Sequence, residues 1–148
     1  GMRAEIKSVE ALMQYAAEFV SNLVPHREHA TVAVLSGELG TGKTTFVQGI
    51  ARALGVEDTV TSPTFVLEKI YKLEGQKFAR LVHVDAYRLK GAHELELLGW
   101  KELLQDPGDF IVLEWPERVP EAVPADAIRI TLHGSGGSRT LTYDTEAI

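Results

Sequence analysis

Residues Ser36–Phe46 read "SGELGTGKTTF". Gly37, four intervening residues, then Gly42, Lys43 and Thr44 form the phosphate-cradling pattern G-x-x-x-x-G-K-[ST]. A polyphosphate needs donors from several directions with no side chains in the way. Glycines let the backbone curl so that its N–H groups point inward as an anion nest. A helix beginning there turns its positive end toward the phosphates. Lys43 then reaches the β- and γ-phosphates as a mobile point charge, and the Thr44 hydroxyl sits on Mg²⁺. A plain glycine-rich turn would not need Lys-Thr at this offset.

The flanks agree with this reading. "TVAVLS", Thr31–Ser36, is the short, apolar, β-branched run of a buried strand. After the loop, Phe46, Val47, Ile50, Ala51 and Leu54 recur at helical spacing, and Gly55 is a suitable C-terminal stop. Strand, glycine loop and helix follow in the order the motif requires.

The chain has 148 residues, 45% hydrophobic and 24% charged, which suits one ordinary globular domain, taken as 3–148. Gly1 before Met2 reads as an expression-tag remnant. A net charge of −6 argues against broad, sequence-independent nucleic-acid binding but leaves room for a local basic patch. With no cysteine there are no disulfides, thiol catalysis or Cys-ligated metal. No apolar run approaches ~18 residues and no secretory leader is visible. The expected location is the cytoplasm.

Elsewhere, "SVEALMQYAAEFVSNL" (Ser8–Leu23) predicts an amphipathic helix with Ser8 as N-cap, ended by Pro25. "FVLEKIYKL" (Phe65–Leu73) and "FARLVHVD" (Phe78–Asp85) predict a β-hairpin about "EGQ". "HELELLGWKELL" is helical with a break near Gly99. "DFIVLEW" (Asp109–Trp115) is another buried strand, and "AIRITL" and "RTLTY" form a final strand pair. Parallel βα units with antiparallel hairpins added imply an α/β fold, a three-layer sandwich about a mixed, partly parallel sheet.

Ligands of open α/β sheets gather at the carboxyl ends of strands. Asp85 closes "ARLVHVD" and Glu114 closes "FIVLE". A carboxylate ending a buried run is costly unless paired, ligated or at the rim. Phosphate-loop enzymes need an acid there for Mg²⁺ and a group that orients or deprotonates the attacking water. Either acid could instead cap a helix or pair with an arginine such as Arg88. In "TSPTF", Thr61–Phe65, a hydroxyl could sense the γ-phosphate as switch loops do, or simply close a β-turn. His83 shares a strand face with Asp85, although a lone histidine on an apolar strand is more often a hydrogen-bonded core residue.

"GELGTGKTTF", "TSPTF", "HVDAYRL" and "LEWPE", in this order and spacing, resemble the TsaE family, bacterial ATPases of tRNA threonylcarbamoyladenosine biosynthesis. The resemblance covers about residues 8 to 143. It implies a phosphate-loop ATPase that binds and hydrolyses ATP with Mg²⁺ in support of a larger assembly. Other subunits of that assembly, of TsaB and TsaD type, transfer the threonylcarbamoyl group to the adenosine beside the anticodon. Hydrolysis would be slow alone and stimulated by those partners, with tRNA contact indirect or minor and no membrane role. The resemblance implies that Gly37, Glu38, Leu39, Gly40 and Thr41 open the nucleotide loop, and that Gly42, Lys43, Thr44 and Thr45 close it. It makes Thr44 and Glu114 the Mg²⁺ ligands and Asp85 the second acid, with Lys43, Asp85 and Glu114 the catalytic set. It points to Ser62 and Thr64 as switch-like contacts and to Arg139 as a late basic residue near the nucleotide. Glu10 is the candidate contact from the N-terminal helix, where the family usually shows a Thr near the helix start.

Three other readings use the same loop. A small-molecule kinase usually adds an Arg-rich lid, and the arginines after Lys43 are scattered. A nucleotide-gated binding module would keep the loop without turnover. A GTPase is disfavoured by the absence of N-K-x-D and of D-x-x-G after a strand.

Overall fold

Strand β2, Thr31–Ser36, is the central strand of a seven-stranded sheet. The computed structural model describes residues 2–58, 60, 67–135 and 138–145. The other strands are β1 (Met2–Ile6), β3 (Glu68–Lys72), β4 (Arg80–Asp85), β5 (Asp109–Glu114), β6 (Ile128–Ser135) and β7 (Ser138–Thr145). The order is β1-β7-β6-β2-β5-β4-β3. β6, β2, β5 and β4 run parallel, whereas β3, β7 and β1 add antiparallel edges. The sheet is therefore mixed, as expected from the sequence.

Side-chain alternation along the central strands builds two cores. Ala33 and Leu35 of β2, Leu81 of β4 and Phe110 and Val112 of β5 face one side. There they meet helices α1 (Val9–Asn22) and α2 (Lys43–Ala53) through Leu12, Phe19, Phe46 and Ile50. Val32, Val34, Val82, Val84, Ile111 and Leu113 face the other side. They pack on Leu95 of α3 (His93–Glu96) and on Trp100 and Leu103 of α4 (Trp100–Gln105). Each fully buried side chain of this size stabilises the fold by roughly 1.5–3 kcal/mol relative to exposure. Helices α1 and α2 touch closely: a Cβ on Gly49 would lie 2.7 Å from the Ala16 Cβ.

Local signals set most element ends. Ser8 caps α1 by accepting from the Ala11 N–H at 3.0 Å, and α1 stops before Pro25. Gly99, at φ 76°, separates α3 from α4. Some boundaries differ from expectation. β4 starts at Arg80, two residues later than the apolar run suggests, because the Ala79 and Arg80 N–H groups donate to the Gly108 carbonyl in the connection before β5. β5 ends at Glu114 because Trp115 takes a positive φ of 59°. β3 begins at Glu68, and Phe65, assigned to that strand from sequence, lies outside the described residues. β1 was not anticipated. It pairs along an edge, Met2 with Tyr143 through Ile6 with Arg139, and of its residues only Ile6 is buried.

The register sets the functional end of the sheet. Leu35 of β2 is level with Glu114 of β5, and Glu114 is level with Asp85 of β4. The glycine loop leaves β2 at the same end.

Candidate functional site: a phosphate loop facing two carboxylates

The loop is shaped so tightly that only glycine fits at two positions. Gly37 has φ 147°, and a Cβ there would lie 2.6 Å from the Leu132 carbonyl oxygen. Gly42 has φ 106°, and its Cβ would lie 2.9 Å from Leu12 and 3.2 Å from Arg139 Nη1. Thr41 holds the turn from within: its hydroxyl donates to the Glu38 carbonyl at 2.8 Å. The Phe46 N–H donates to the Gly42 carbonyl and starts α2. The N–H groups of the first turn precede any intrahelical acceptor and carry the helix's positive end.

Lys43 is the first residue of α2 and only 5% exposed. Its ammonium donates to the Gly37 carbonyl at 2.5 Å and lies 3.7 Å from the centre of the Trp115 ring. Burial pushes its pKa below the usual lysine value. Glu114 opposes that shift most strongly, followed by Asp85, Glu117 and Glu38. The lysine is thus held between a carbonyl, an indole face and a ring of acids.

Both strand-end acids are buried, Glu114 at 3% and Asp85 at 6% exposure. The acceptor Glu114 Oε2 takes a hydrogen bond from His83 Nε2 at 2.5 Å. Asp85 Oδ1 accepts from the Tyr87 N–H at 2.9 Å, fixing the chain where it leaves β4. Trp115 follows Glu114 with a left-handed backbone, which is uncommon for a bulky residue. Its N–H donates to the Leu35 carbonyl, and its ring packs 4.9 Å from that of Tyr87. Loop, acids, aromatics and Arg139 enclose a cleft of about 390 Å³.

The family model "Threonylcarbamoyl adenosine biosynthesis protein TsaE" matches residues 6–141. The tRNA threonylcarbamoyladenosine biosynthesis protein TsaE of Borreliella burgdorferi is 34% identical over 138 residues, 91% of this chain and 95% of that protein. The protein of the same name from Streptomyces coelicolor is 43% identical over 107 residues, covering 72% and 70% of the two chains. The chain belongs to the TsaE family. Its role is accordingly in tRNA threonylcarbamoyladenosine biosynthesis. The fold agrees: the crystal structure of Bacillus subtilus YdiB superposes with a TM-score of 0.77 at 26% identity, covering 97% of this chain and 84% of that one.

Most of the residues that the TsaE resemblance singles out meet in the cleft. Leu39, Gly40, Gly42, Lys43, Thr44 and Thr45 line it from the loop side. Asp85 and Glu114 line it from the strands and Arg139 from β7. Gly37, Glu38 and Thr41 shape the loop behind that surface. Glu10 stands apart: it is exposed on the first turn of α1 and lines a separate groove between α1 and α2, with Arg52. Ser62 and Thr64 lie outside the described residues. No helix among the described residues is long and apolar enough to cross a membrane.

The core position of His83 was read from the sequence, but its bond to Glu114 and the aromatic wall were not. His83 is both a core histidine, 0% exposed, and the partner of Glu114. Tyr87 and Trp115 form the aromatic wall. A signal for that wall existed, since each aromatic follows a strand-end acid within two residues.

Proposed function

We propose that this TsaE-family chain binds ATP with Mg²⁺ and hydrolyses it to support the threonylcarbamoyladenosine modification of tRNA within a multi-subunit assembly. The observation that carries this reading is the meeting, in one cleft, of a glycine loop, a helix start, Lys43 and two buried carboxylates from adjacent strands. The donor chemistry fits a magnesium polyphosphate. Arg139 Nε is buried with no hydrogen-bond partner among the described residues, and its guanidinium lies against Gly42. An unpaired buried donor beside a phosphate loop suits an anionic ligand.

In this reading the first-turn N–H groups of α2 hold the phosphates, and Lys43 turns from the Gly37 carbonyl and the Trp115 face to the β- and γ-oxygens. Thr44 and Glu114 hold Mg²⁺, with His83 fixing the orientation of Glu114. The metal, when bound, neutralises phosphate charge. Asp85 orients the attacking water and accepts its proton. Ser62 and Thr64 keep the switch-like role that the family resemblance implies, whereas Glu10 lines the separate α1–α2 groove and not this cleft.

The partners in this reading are subunits of TsaB and TsaD type, as membership of the TsaE family implies. The net charge of −6 keeps any tRNA contact minor, and the cytoplasm is the working compartment. The test is phosphate release from ATP by the chain alone, then with the partner subunits, then with small-molecule phosphoryl acceptors. Slow release that rises on adding partners is expected. Fast, partner-independent hydrolysis, or transfer to a small acceptor, would overturn the reading.

A further inference from the structure

The parallel strands β2 and β6 begin at the end of the sheet away from the nucleotide cleft. Just before them, His26 and His29 lie in the segment leaving α1, and Asp126 lies in the turn that leads into β6. One ligand atom from each of the three lies within 4.8 Å of the others. His29 Nε2 is 3.3 Å and His26 Nε2 3.9 Å from the same oxygen, Asp126 Oδ2. The two imidazole rings are 4.2 Å apart, centre to centre.

The tautomer of His29 gives this cluster its meaning. Its Nδ1 is 2.8 Å from the Ala30 carbonyl oxygen, which can only accept, so Nδ1 carries the proton. In the neutral ring Nε2 is then a bare lone pair aimed at a carboxylate oxygen. That approach is repulsive unless a proton or a metal ion lies between them. A ring whose far N–H is tied to a backbone carbonyl is also the arrangement that orients metal-ligating histidines.

We propose that His26, His29 and Asp126 form a binding site for a divalent transition metal of the Zn²⁺ class, separate from the Mg²⁺ site of the nucleotide cleft. Two imidazoles and one carboxylate are a borderline ligand set that favours zinc-like ions over Mg²⁺. In a tetrahedral zinc site with bonds of about 2.05 Å, neighbouring ligand atoms are about 3.3 Å apart. The His29–Asp126 edge already has that length. The other edges close by rotation of side chains that are 36% to 44% exposed, which leaves the remaining position open to water. The bound ion would join the α1–β2 connection to the entrance of β6, immediately outside the core positions Ala30 and Ala127.

The experiment uses the whole chain, tag-free and stripped with EDTA, in equilibrium dialysis against ZnCl₂, with Co²⁺ as a visible-absorption probe. One Zn²⁺ per chain is expected, with Co²⁺ bands of a nitrogen–oxygen site and a Tm that rises with Zn²⁺ concentration. His29→Gln and Asp126→Asn should each weaken Zn²⁺ binding about 10- to 100-fold. Because these side chains are partly exposed, the variants should keep the wild-type circular dichroism spectrum. Absence of stoichiometric Zn²⁺ binding by the wild type would overturn the site and leave an imidazolium–carboxylate pair. Binding that survives unchanged in a folded His26→Gln/His29→Gln double variant would also overturn it, by placing the ion elsewhere.

Discussion

His83 Nε2 donates to Glu114 Oε2 at 2.5 Å, across the parallel pair β4–β5, with both side chains buried. A carboxylate only accepts, so the proton sits on Nε2 and the ring fixes one oxygen of the acid. His83 Nδ1 has no hydrogen-bond partner among the described residues. If Glu114 holds Mg²⁺, His83 acts on the metal through it. His83→Gln should raise the Mg²⁺ concentration for half-maximal hydrolysis by about tenfold, in line with other groups that orient metal ligands. ADP affinity measured without Mg²⁺ should change little. An unchanged Mg²⁺ titration would reduce His83 to a packing residue.

The contact of Lys43 with Trp115 offers an optical test of the proposed nucleotide binding. The lysine ammonium sits 3.7 Å from the Trp115 ring centre and donates to the Gly37 carbonyl. Turning toward a phosphate would draw it away from the indole face. Trp115 emission should therefore change on ATP addition, with Trp115→Phe identifying the contribution against the buried Trp100. Lys43→Ala should lower phosphate release at saturating ATP about 100-fold or more, the loss typical of removing a preorganised charge-stabilising donor. Near-normal release in that variant would make the loop purely structural.

The glycines of the loop should differ in their tolerance. A Cβ at Gly37 meets the Leu132 backbone oxygen at 2.6 Å in addition to an unfavourable φ, whereas one at Gly40 meets nothing within 4 Å. Gly40→Ala has only its φ of 81° to oppose it, about 1–2 kcal/mol. Gly37→Ala should cost about 3 kcal/mol or more and abolish nucleotide binding. Urea denaturation of the two variants measures the difference, and equal losses would contradict the loop geometry.

Burial lowers the Lys43 pKa, and this has a sign that can be checked. Between that lowered value and the unfolded value of 10.5, the unfolded chain binds the proton and the folded chain does not. This lysine's contribution to stability therefore rises with pH across that window, because its buried charge is being discharged. Nucleotide binding should do the reverse, weakening as Lys43 loses its proton. At alkaline pH, ATP binding should accordingly take up a proton. Calorimetry in buffers of different ionisation enthalpy detects that uptake, and Lys43→Ala should abolish it.

The sequence carried the fold through short-range signals: the buried run Thr31–Ser36, the glycine spacing, the Ser8 cap and the Gly99 break all act within a few residues. β1 escaped because it is a short edge strand whose Met2, Ala4 and Ile6 alternate with Arg3 and Glu5 but bury only Ile6. The strand-end position of Asp85 and Glu114 was legible, and their adjacency was not, since strand order is set by packing of distant segments. For the same reason the His83–Glu114 bond, spanning 31 residues, left no local trace. Nor did the bidentate Arg80–Asp109 pair, at 2.7 and 2.9 Å, that buries the acid at the start of β5.

In the proposed mechanism Glu114 and Asp85 divide the acid chemistry, and one substitution separates the roles assigned to them. Glu114 is level with Leu35, at the end of the strand that feeds the loop, and with Asp85 on its other side. It lines the cleft with Thr44 and is the strongest charge acting on Lys43. Glu114→Gln keeps the shape, and an amide oxygen can still accept from His83, but the charge is lost. The loop N–H groups still hold the phosphates. ATP and ADP binding should therefore persist, with phosphate release about 100-fold slower and a weak response to Mg²⁺. Asp85→Asn should instead leave the Mg²⁺ dependence of binding intact while slowing release, if that residue acts on the water as proposed. Nucleotide titrations with and without Mg²⁺, followed by phosphate release from both variants, decide the assignment. Wild-type Mg²⁺ dependence in Glu114→Gln together with its loss in Asp85→Asn would exchange the two roles.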